Sequence, residues 1–201
     1  MIVLASASPR RQELLHNAGI EFTVQPADVD ETPLPTESPR ECAERLAQEK
    51  AVKVWRTRPQ DVVLGADTVV VVGGANLGKP VDADDAVRML RLLAGQTHEV
   101  ITGVCVAKQR VGEQWSVASD QREANVATAS ETTLVTMSQI PDQEILDYVA
   151  TGEPMDKAGA YAIQGIASRW ITRIEGDYSN VVGLPIALAY RMIRSAIVLK
   201  A

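Results

Sequence analysis

The stretch Ile2-Val-Leu-Ala-Ser-Ala-Ser-Pro-Arg-Arg11 decides the fold, because a short apolar strand leads directly into a helix. Residues 2–5 have the length and apolar character of a buried strand. Ser8 is placed to be the N-cap of the helix, Pro9 its first residue and Gly19 its end. A strand followed at once by a helix is the repeating element of α/β proteins.

The rest of the chain continues this alternation of β-branched apolar runs and amphipathic helices, which predicts an α/β fold. The predicted strands are 20–25, 62–66, 68–72, 98–109, 115–127, 132–137 and 169–175. The predicted helices run from Ser38 to about Arg56, from Asp82 to Gly95, over 141–150 and from Pro185 onward. A hairpin turn is expected at 111–113, a loop at 28–35, and a turn at 176–180 before a last strand and helix.

Length and charge limit the class of protein. A chain of 201 residues fits one domain or two closely packed lobes, and it can bury a core without disulfides or structural metals. The formal net charge of -6 argues against a general nucleic-acid-binding domain, which needs a broad cationic surface. An acidic protein can still bind a polyanion where its few cations converge, so a local cationic cluster is the feature to seek.

The cysteines and the apolar segments indicate the compartment. Cys42 and Cys105 lie far apart and lack metal-ligand spacing, so we expect buried, reduced thiols in preference to a nucleophile. No segment approaches the ~20 apolar residues of a membrane span. The first apolar run is too short for a signal peptide and carries no charge ahead of it. These features predict a cytoplasmic protein.

Two cations are predicted on apolar helix faces. Lys50 lies in the middle of a stripe, at ~100° per residue, on the helix that begins after Ser38. Arg11 projects within the stripe of the first helix. The stripes consist of Cys42, Ala43, Leu46, Ala47, Ala51 and Val54, and of Leu14, Leu15 and Ala18. Such a cation extends to solvent, pairs with a carboxylate, or faces a pocket for an anion. Two of them, one at a helix N-terminus, favour the pocket.

The start of the first helix is a candidate phosphate site. A strand, a Ser-rich loop and a helix N-terminus direct several backbone N–H groups one way, and their partial positive charge favours a phosphate. Ser6 and Ser8 can add hydroxyl donors, and Arg10 and Arg11 add planar guanidinium groups. A plain Ser-Pro capped helix with two surface arginines explains the same residues, so the motif leaves both interpretations open.

Asp67 is a second candidate, because it is the only acid within Val62–Val72 and apolar sequence flanks it. A carboxylate in such a run meets a cation or metal, lies at a strand break in a cleft, or caps a turn between two strands. Lys79 follows in a Gly-Lys-Pro loop that does not form a Walker A motif.

Residues 152–165 are dense in glycine and small side chains, which permits close backbone approach to a ligand or another chain. Gln164 carries a neutral donor and acceptor suited to the edge of a base. From spacing alone, an ordinary surface glutamine is the favoured interpretation.

Together these motifs resemble the Maf family, in the family's order and over essentially the whole chain. They are Ser6-Ala-Ser-Pro-Arg-Arg11, Asp30-Glu-Thr32, Glu49-Lys-Ala51, Gly65-Ala-Asp-Thr68, Gly78-Lys-Pro80, Gly95-Gln-Thr-His98, Thr102-Gly-Val104, Asp156-Lys-Ala-Gly-Ala-Tyr-Ala-Ile-Gln-Gly165 and Val182-Gly-Leu-Pro185. No single motif is decisive, but the ordered set is very specific. Two positions depart from the family pattern: Gly73-Gly74 stands where Asp-Gly is usual, and Met137 replaces a common Phe.

The resemblance implies a fold and an activity. The implied fold is a single Maf-like α/β domain, similar to inosine triphosphatase, with a mixed, curved sheet flanked by helices in two lobes and the substrate in a central cleft. The implied activity is that of a nucleoside triphosphate pyrophosphatase, which releases a monophosphate and pyrophosphate. The family also implies a homodimer, a divalent metal cation such as Mg²⁺ or Mn²⁺, and a link to restraint of septum formation.

The resemblance also assigns the proton acceptor and the residues that select the base. The proton acceptor falls on Asp67, and the specificity positions fall on Arg10, Thr68 and Gln164. Arg, Thr and Gln are the residues of the subfamily acting on dTTP and UTP, and modified pyrimidine nucleotides are further candidate substrates. The sister subfamily acting on 7-methyl-GTP differs at these positions and is disfavoured.

Phosphate and metal binding are assigned in the same way. The phosphate-binding residues implied are Ser8, Arg11, Lys50 and Lys79. Glu31 is the second carboxylate expected on the metal beside Asp67. The mechanism expected is in-line attack of water on the α phosphorus, with Asp67, directly or through the metal, positioning and deprotonating that water.

Two questions stay open at the level of sequence. Gln164 can donate to O4 and accept from N3–H of uracil or thymine, but a flipped amide suits cytosine, so CTP is not excluded. The rival function is a nucleotide-binding regulator of septum formation with incidental hydrolysis. Cations that converge on a general base favour catalysis, because binding alone does not need that base.

Overall fold

The computed structural model describes residues 1–109 and 124–198. The strands are β1 (Ile2–Leu4), β2 (Thr23–Val24), β3 (Val62–Val72), β4 (Ala75–Leu77), β5 (Thr97–Gln109), β6 (Ala124–Met137) and β7 (Ile171–Glu175). The helices are α1 (Pro9–Asn17), α2 (Pro39–Thr57), α3 (Ala83–Leu93), α4 (Asp142–Ala150), α5 (Tyr178–Val182) and α6 (Ile186–Val198). Short 3-10 segments cover Glu153–Asp156, Ala158–Ala160 and Ile166–Trp170.

The strands of the described residues form one mixed sheet in the order β2-β1-β3-β5-β6-β7, with β4 paired to β3. Strand β1 is parallel to both β2 and β3, whereas the pairs β3–β4 and β6–β7 are antiparallel. Helices flank this sheet, so the predicted α/β class is confirmed.

The chain divides into two compact units. Unit 1 comprises Met1–Asp67, Gly103–Ser130 and Gly183–Ala201, and unit 2 comprises Thr68–Thr102 and Glu131–Val182. Strands β3, β5 and β6 therefore contribute residues to both units. The cleft and the single Maf-like domain implied by the resemblance stay predictions.

Unit 1 buries both faces of its strands, because successive side chains of a strand point to opposite faces. Leu4, Leu64 and Val104 pack with residues of α1 and α6 in one apolar cluster. Their chain neighbours Val3 and Cys105 pack with residues of α2, among them Trp55, in a second cluster. The sheet of unit 1 therefore has helices on both sides, which is the arrangement that the alternating sequence predicts.

In unit 2, α3 and α4 pack against each other. Leu90 and Leu93 of α3 and Ile145 and Tyr148 of α4 are fully or almost fully buried. Within the two described stretches of the chain, none of the helices combines the length and apolar character that a membrane crossing requires.

The predicted helix starts are confirmed in detail. The Ser8 side chain caps α1, the Asp82 side chain caps α3, and Ser38 and Glu41 form the full capping box of α2. The stripe of α2 is also confirmed, since all of its apolar members and Lys50 are buried. The stripe of α1 is wrong at one position, because Ala18 is exposed at the C-cap of this short helix.

The strand predictions need four corrections. Strand β3 is continuous over Val62–Val72, where two runs were predicted, and β6 is continuous from Ala124 to Met137. The predicted strand at 20–25 shortens to Thr23–Val24. The turn predicted at 176–180 is wrong, because the helix α5 begins at Tyr178 and takes the place of the last strand. The predicted hairpin turn and most of 115–127 lie outside the described residues.

Candidate active site

Helix α2 approaches the sheet of unit 1 closely at two glycines. A Cβ on Gly65 would lie 2.2 Å from the carbonyl oxygen of Ala47, and one on Gly103 would lie 2.3 Å from that of Ala43. Any side chain at these positions would collide with the backbone of α2, so the approach requires glycine. As a result Lys50, one turn beyond Ala47, reaches the strand that carries Asp67.

Lys50 lies between two carboxylates. Its Nζ is 2.6 Å from Asp67 Oδ1 and 2.6 Å from Glu31 Oε1. The side chains of Lys50 and Asp67 are 9% and 13% exposed, whereas that of Glu31 is 45% exposed. Burying a charge is costly unless it is paired, and this pairing explains how α2 holds a lysine on its apolar face. The pocket for an anion stays a prediction.

Asp67 lies within a continuous strand, so its interpretation as a cap on a turn between two strands is wrong. The alternative that a buried carboxylate meets a cation is the one the structure shows, through Lys50. Asp67 is also the last residue of unit 1, and Thr68 is the first residue of unit 2.

Arg11 is bound to the strand residue that precedes Asp67. Its Nη1 donates to the carbonyl oxygen of Ala66 at 2.8 Å and to Ser6 Oγ at 3.2 Å, and its Nε donates to the carbonyl oxygen of Gly183 at 2.7 Å. Burial lowers the pKa of Arg11 from its usual value, while attraction to Asp67 opposes that shift. The two cations on predicted apolar faces therefore both act on the charge of Asp67.

The hydroxyl groups of Ser6 and Ser8 accept hydrogen bonds from backbone N–H groups at the N-terminus of α1. Ser8 Oγ accepts from the backbone N–H of Arg11 at 3.5 Å, and the backbone N–H of Ser8 donates to Ser6 Oγ at 3.2 Å. Ser6 is buried, and Ser8 and Arg10 are half-buried. The Ser-rich loop is therefore an ordered turn that brings Arg11 toward β3.

The loop that carries Glu31 is held by an ion pair that sequence reasoning missed. Arg45 donates to both oxygens of Glu37, at 2.7 and 2.8 Å, and to the carbonyl oxygen of Thr32 at 3.2 Å. The hydrogen bonds from Arg45 lower the pKa of Glu37 to about 2. An Arg and a Glu eight residues apart have no distinctive spacing, so no sequence pattern predicts this contact.

Thr68 leads into a buried hydrogen-bond network of unit 2. Its Oγ1 lies 3.0 Å from Thr102 Oγ1, which donates to the carbonyl oxygen of Asn180 at 3.2 Å. Asn180 Nδ2 donates to the carbonyl oxygen of Val100 and to Thr133 Oγ1, each at 2.9 Å. Thr102, Thr133 and Asn180 are fully buried. Threonine is common in strands, so the sequence carries no distinctive signal for this network.

The other two predicted residues of unit 2 are exposed. Lys79 lies in the loop between β4 and α3, and the carbonyl oxygen of Gly78 accepts from the backbone N–H of Gly159 at 3.0 Å. Gln164 follows the buried residues Tyr161 and Ile163. The Lys79 loop is thus attached to the glycine-dense segment that carries Gln164.

Tyr161 anchors that segment in the interior. Its hydroxyl lies 2.8 Å from His98 Nε2, and His98 is 2% exposed. Burial lowers the pKa of His98 to about 4, so the ring is neutral at physiological pH. The sequence predicts no role for His98, and in the structure it holds the hydroxyl of Tyr161 by a hydrogen bond.

Both cysteines are buried and free, as predicted. Burial raises the pKa of Cys42 and of Cys105 to about 11. A thiol with such a pKa holds little thiolate at neutral pH and is a poor nucleophile.

Known proteins are similar to this chain over almost its whole length. A family model described as Maf-like protein matches residues 1–196. The chain is 53% identical over 198 residues to a dTTP/UTP pyrophosphatase of Koribacter versatilis (strain Ellin345), which covers 98% of this chain and 95% of the relative. It is 50% identical over 185 residues to a dTTP/UTP pyrophosphatase of Geobacter sulfurreducens, and the match covers 92% of this chain and 91% of the relative. It is 48% identical over 190 residues to a dTTP/UTP pyrophosphatase of Syntrophomonas wolfei, and that match covers 94% of this chain and 94% of the relative.

Proposed function

The chain belongs to the Maf family, and from that membership we propose that it is a nucleoside triphosphate pyrophosphatase acting on dTTP and UTP. The observation that carries this proposal is the buried contact between Lys50 and Asp67, beside Arg11. The buried Lys50 and the half-buried Arg11 thus contact Asp67 and the residue before it, Ala66. Relatives about half identical over nearly the whole chain are named dTTP/UTP pyrophosphatases.

The cations suit the phosphate end of a nucleotide. Phosphoryl transfer needs mainly positioning and neutralisation of charge, which Lys and Arg provide. We assign Lys50 and Arg11 of unit 1 to this task, together with Ser8 at the start of α1 and Lys79 of unit 2. Lys79 is exposed, in the loop between β4 and α3.

Asp67 is proposed as the proton acceptor. An ionised carboxylate can take a proton from the water that attacks the α phosphorus. The bond between the α phosphorus and the oxygen bridging to the β phosphorus then breaks, pyrophosphate leaves with that electron pair, and the monophosphate remains. Lys50, in contact with Asp67 Oδ1, holds the carboxylate in place during this step.

A divalent metal fits the residues present. Glu31 and Asp67 converge on one cation, Lys50 Nζ, and carboxylate oxygens are the donors that Mg²⁺ and Mn²⁺ prefer. In residues 1–109 and 124–198, no group of three or more His, Cys, Asp or Glu residues could hold a metal. Mg²⁺ commonly takes one or two carboxylates and completes its shell with phosphate oxygens and water. Glu31 and Asp67 would therefore hold the ion, which would neutralise charge on the phosphates.

Base selection is assigned to Arg10, Thr68 and Gln164. An amide and a hydroxyl distinguish bases by hydrogen bonds, and leaving such a contact unmade costs about 1–3 kcal/mol. That energy corresponds to roughly tenfold to a hundredfold preference, so related and modified pyrimidine nucleotides remain substrates in this proposal. A cytoplasmic homodimer that does not bind nucleic acid completes the proposal.

A hydrolysis panel tests the proposed function. The purified protein is supplied with UTP, dTTP, CTP, GTP and ATP, each with Mg²⁺ or Mn²⁺, and pyrophosphate and orthophosphate are measured separately. We expect pyrophosphate and a monophosphate from UTP and dTTP, and little product from the purine nucleotides. Release of orthophosphate would contradict the assigned bond. Nucleotide binding without any hydrolysis would instead support a regulator of septum formation.

A further inference from the structure

The backbone on either side of Gln164 is held by two side chains that the proposed function does not use. The hydroxyl oxygen of Tyr148 accepts from the backbone N–H of Ala162 at 3.3 Å. Glu153 Oε1 accepts from the backbone N–H of Ile166 at 3.1 Å. One contact lies two residues before Gln164 and the other two residues after it, so the peptide that carries Gln164 is fixed at both ends.

The two side chains are also bound to each other. The Tyr148 hydroxyl donates to Glu153 Oε1 at 2.9 Å, and its oxygen is left to accept from Ala162. Tyr148 is 1% exposed, and its ring packs edge-on against Trp170 with the centroids 5.3 Å apart. Glu153 lies three residues after the end of α4, on the 3-10 segment Glu153–Asp156. We call these two residues the Tyr148–Glu153 brace.

The brace fits tightly against Gly165. A Cβ on Gly165 would lie 2.1 Å from Glu153 Oε1. Any other residue there would push the carboxylate away from Ile166, so the glycine after Gln164 is needed for the brace to close. Packing against Glu153 therefore requires glycine at position 165, next to Gln164.

We propose that Tyr148 and Glu153 are positioning residues for the base, because they fix the backbone from which Gln164 projects. The proposal rests on the proposed function, and within it on the role of Gln164. Gln164 is exposed, so burial of its own side chain does not orient it. Its direction follows from the peptide around it, and that peptide is fixed by Tyr148 and Glu153.

The test compares ligands with and without a base. We expect Tyr148→Phe, which keeps the ring against Trp170 and removes the hydroxyl, to raise KM for UTP about fivefold with kcat within about twofold. Inorganic tripolyphosphate has no base, so its inhibition constant should stay within about twofold. Glu153→Ala should also raise KM for UTP. Glu153→Gln keeps an acceptor oxygen for Ile166, so its KM for UTP should lie close to that of the parent protein.

Two controls separate the outcomes. Val149→Ala shortens a buried neighbour of Tyr148 without touching the brace, and melting temperatures identify loss of stability alone. A Tyr148→Phe or Glu153→Ala variant whose KM for UTP is unchanged, while Gln164→Ala raises it, would overturn the brace and leave the proposed function intact. An unchanged KM in Gln164→Ala would overturn the role of Gln164 and the brace with it. Equal weakening of UTP and tripolyphosphate would show a general structural role and also overturn it.

Discussion

The two units of the chain use different chemistry at their candidate site residues. In unit 1 the contacts are between charged groups, with the buried Lys50 placed between the buried Asp67 and the exposed Glu31. In unit 2 they are hydrogen bonds of uncharged groups, from Thr68 through Thr102 to Asn180. Charged contacts suit the binding of a polyanion, whereas hydrogen bonds between uncharged groups have a fixed direction.

The same difference has an energetic side. Removing one partner of a buried ion pair leaves an uncompensated charge and costs about 3–5 kcal/mol. Leaving a buried neutral donor or acceptor unpaired costs about 1–3 kcal/mol. Unit 1 should therefore be the more sensitive to single substitutions at its charged groups.

Substitution of Lys50 is expected to have the largest effect on stability. Lys50→Met leaves Asp67 buried without its partner and should lower the free energy of unfolding by about 3–5 kcal/mol, measured by urea denaturation. The double variant Lys50→Met/Asp67→Asn should recover part of that loss, because the unpaired charge is gone.

Lys53→Met is the matched control for this prediction, since Lys53 is an exposed lysine on the same helix. It should change the free energy of unfolding by no more than about 0.5 kcal/mol. Similar losses in the two single variants would mean that the Lys50–Asp67 contact contributes nothing specific.

Acid is expected to weaken unit 2 through His98. Its folded-state pKa of about 4 lies below the ordinary value of 6.5 because the ring is buried. The unfolded chain therefore binds the proton first, so the stabilisation is complete above pH 6.5 and decreases as pH falls toward 4. By pH 4 the loss should reach about 3 kcal/mol.

Urea unfolding at intervals from pH 7 to 4 measures this loss, and His98→Gln should flatten the dependence in that window. His16→Gln, the same substitution at an exposed histidine, is the matched control. In unit 1, Glu37 keeps a pKa of about 2, so its contact with Arg45 should persist through the same range. An equal slope in the parent protein and His98→Gln would contradict the prediction.

The smallest of these effects is expected at Thr102. Thr102→Val keeps the shape of a fully buried side chain and removes the hydroxyl between Thr68 and Asn180. The free energy of unfolding should fall by about 1–3 kcal/mol, because the Asn180 carbonyl and the Thr68 hydroxyl lose a partner. A loss as large as that of Lys50→Met would remove the distinction between the two units.

The two regions also differ in how far the sequence could predict them. Lys50 and Arg11 were found because a charge on an apolar helix face violates the helical pattern, and Asp67 because it is the only acid in an apolar strand. Thr102 and Asn180 give no such signal, because threonine is ordinary in strands and asparagine is ordinary near turns. The contact of Tyr148 with Glu153 depends on the fold of 3-10 segments that have no sequence periodicity.

The elements of the fold were predicted where local chemistry determines them. The caps at Ser8, Ser38 and Asp82 are set by side chains next to the helix, so the sequence is sufficient. The continuity of β3 through Asp67 is set by α2, whose Lys50 compensates the charge from 17 residues away. A prediction from local sequence does not include that partner, so it divides the strand at Asp67.

The most direct test of the account is the turnover of Asp67→Asn with UTP and a divalent metal. The substitution keeps the shape of the side chain and removes its ability to take a proton from water. We predict that kcat falls by about 10²–10⁴-fold, while circular dichroism and the melting temperature show a folded protein. A folded Asp67→Asn variant that releases pyrophosphate at the parent rate would contradict the account.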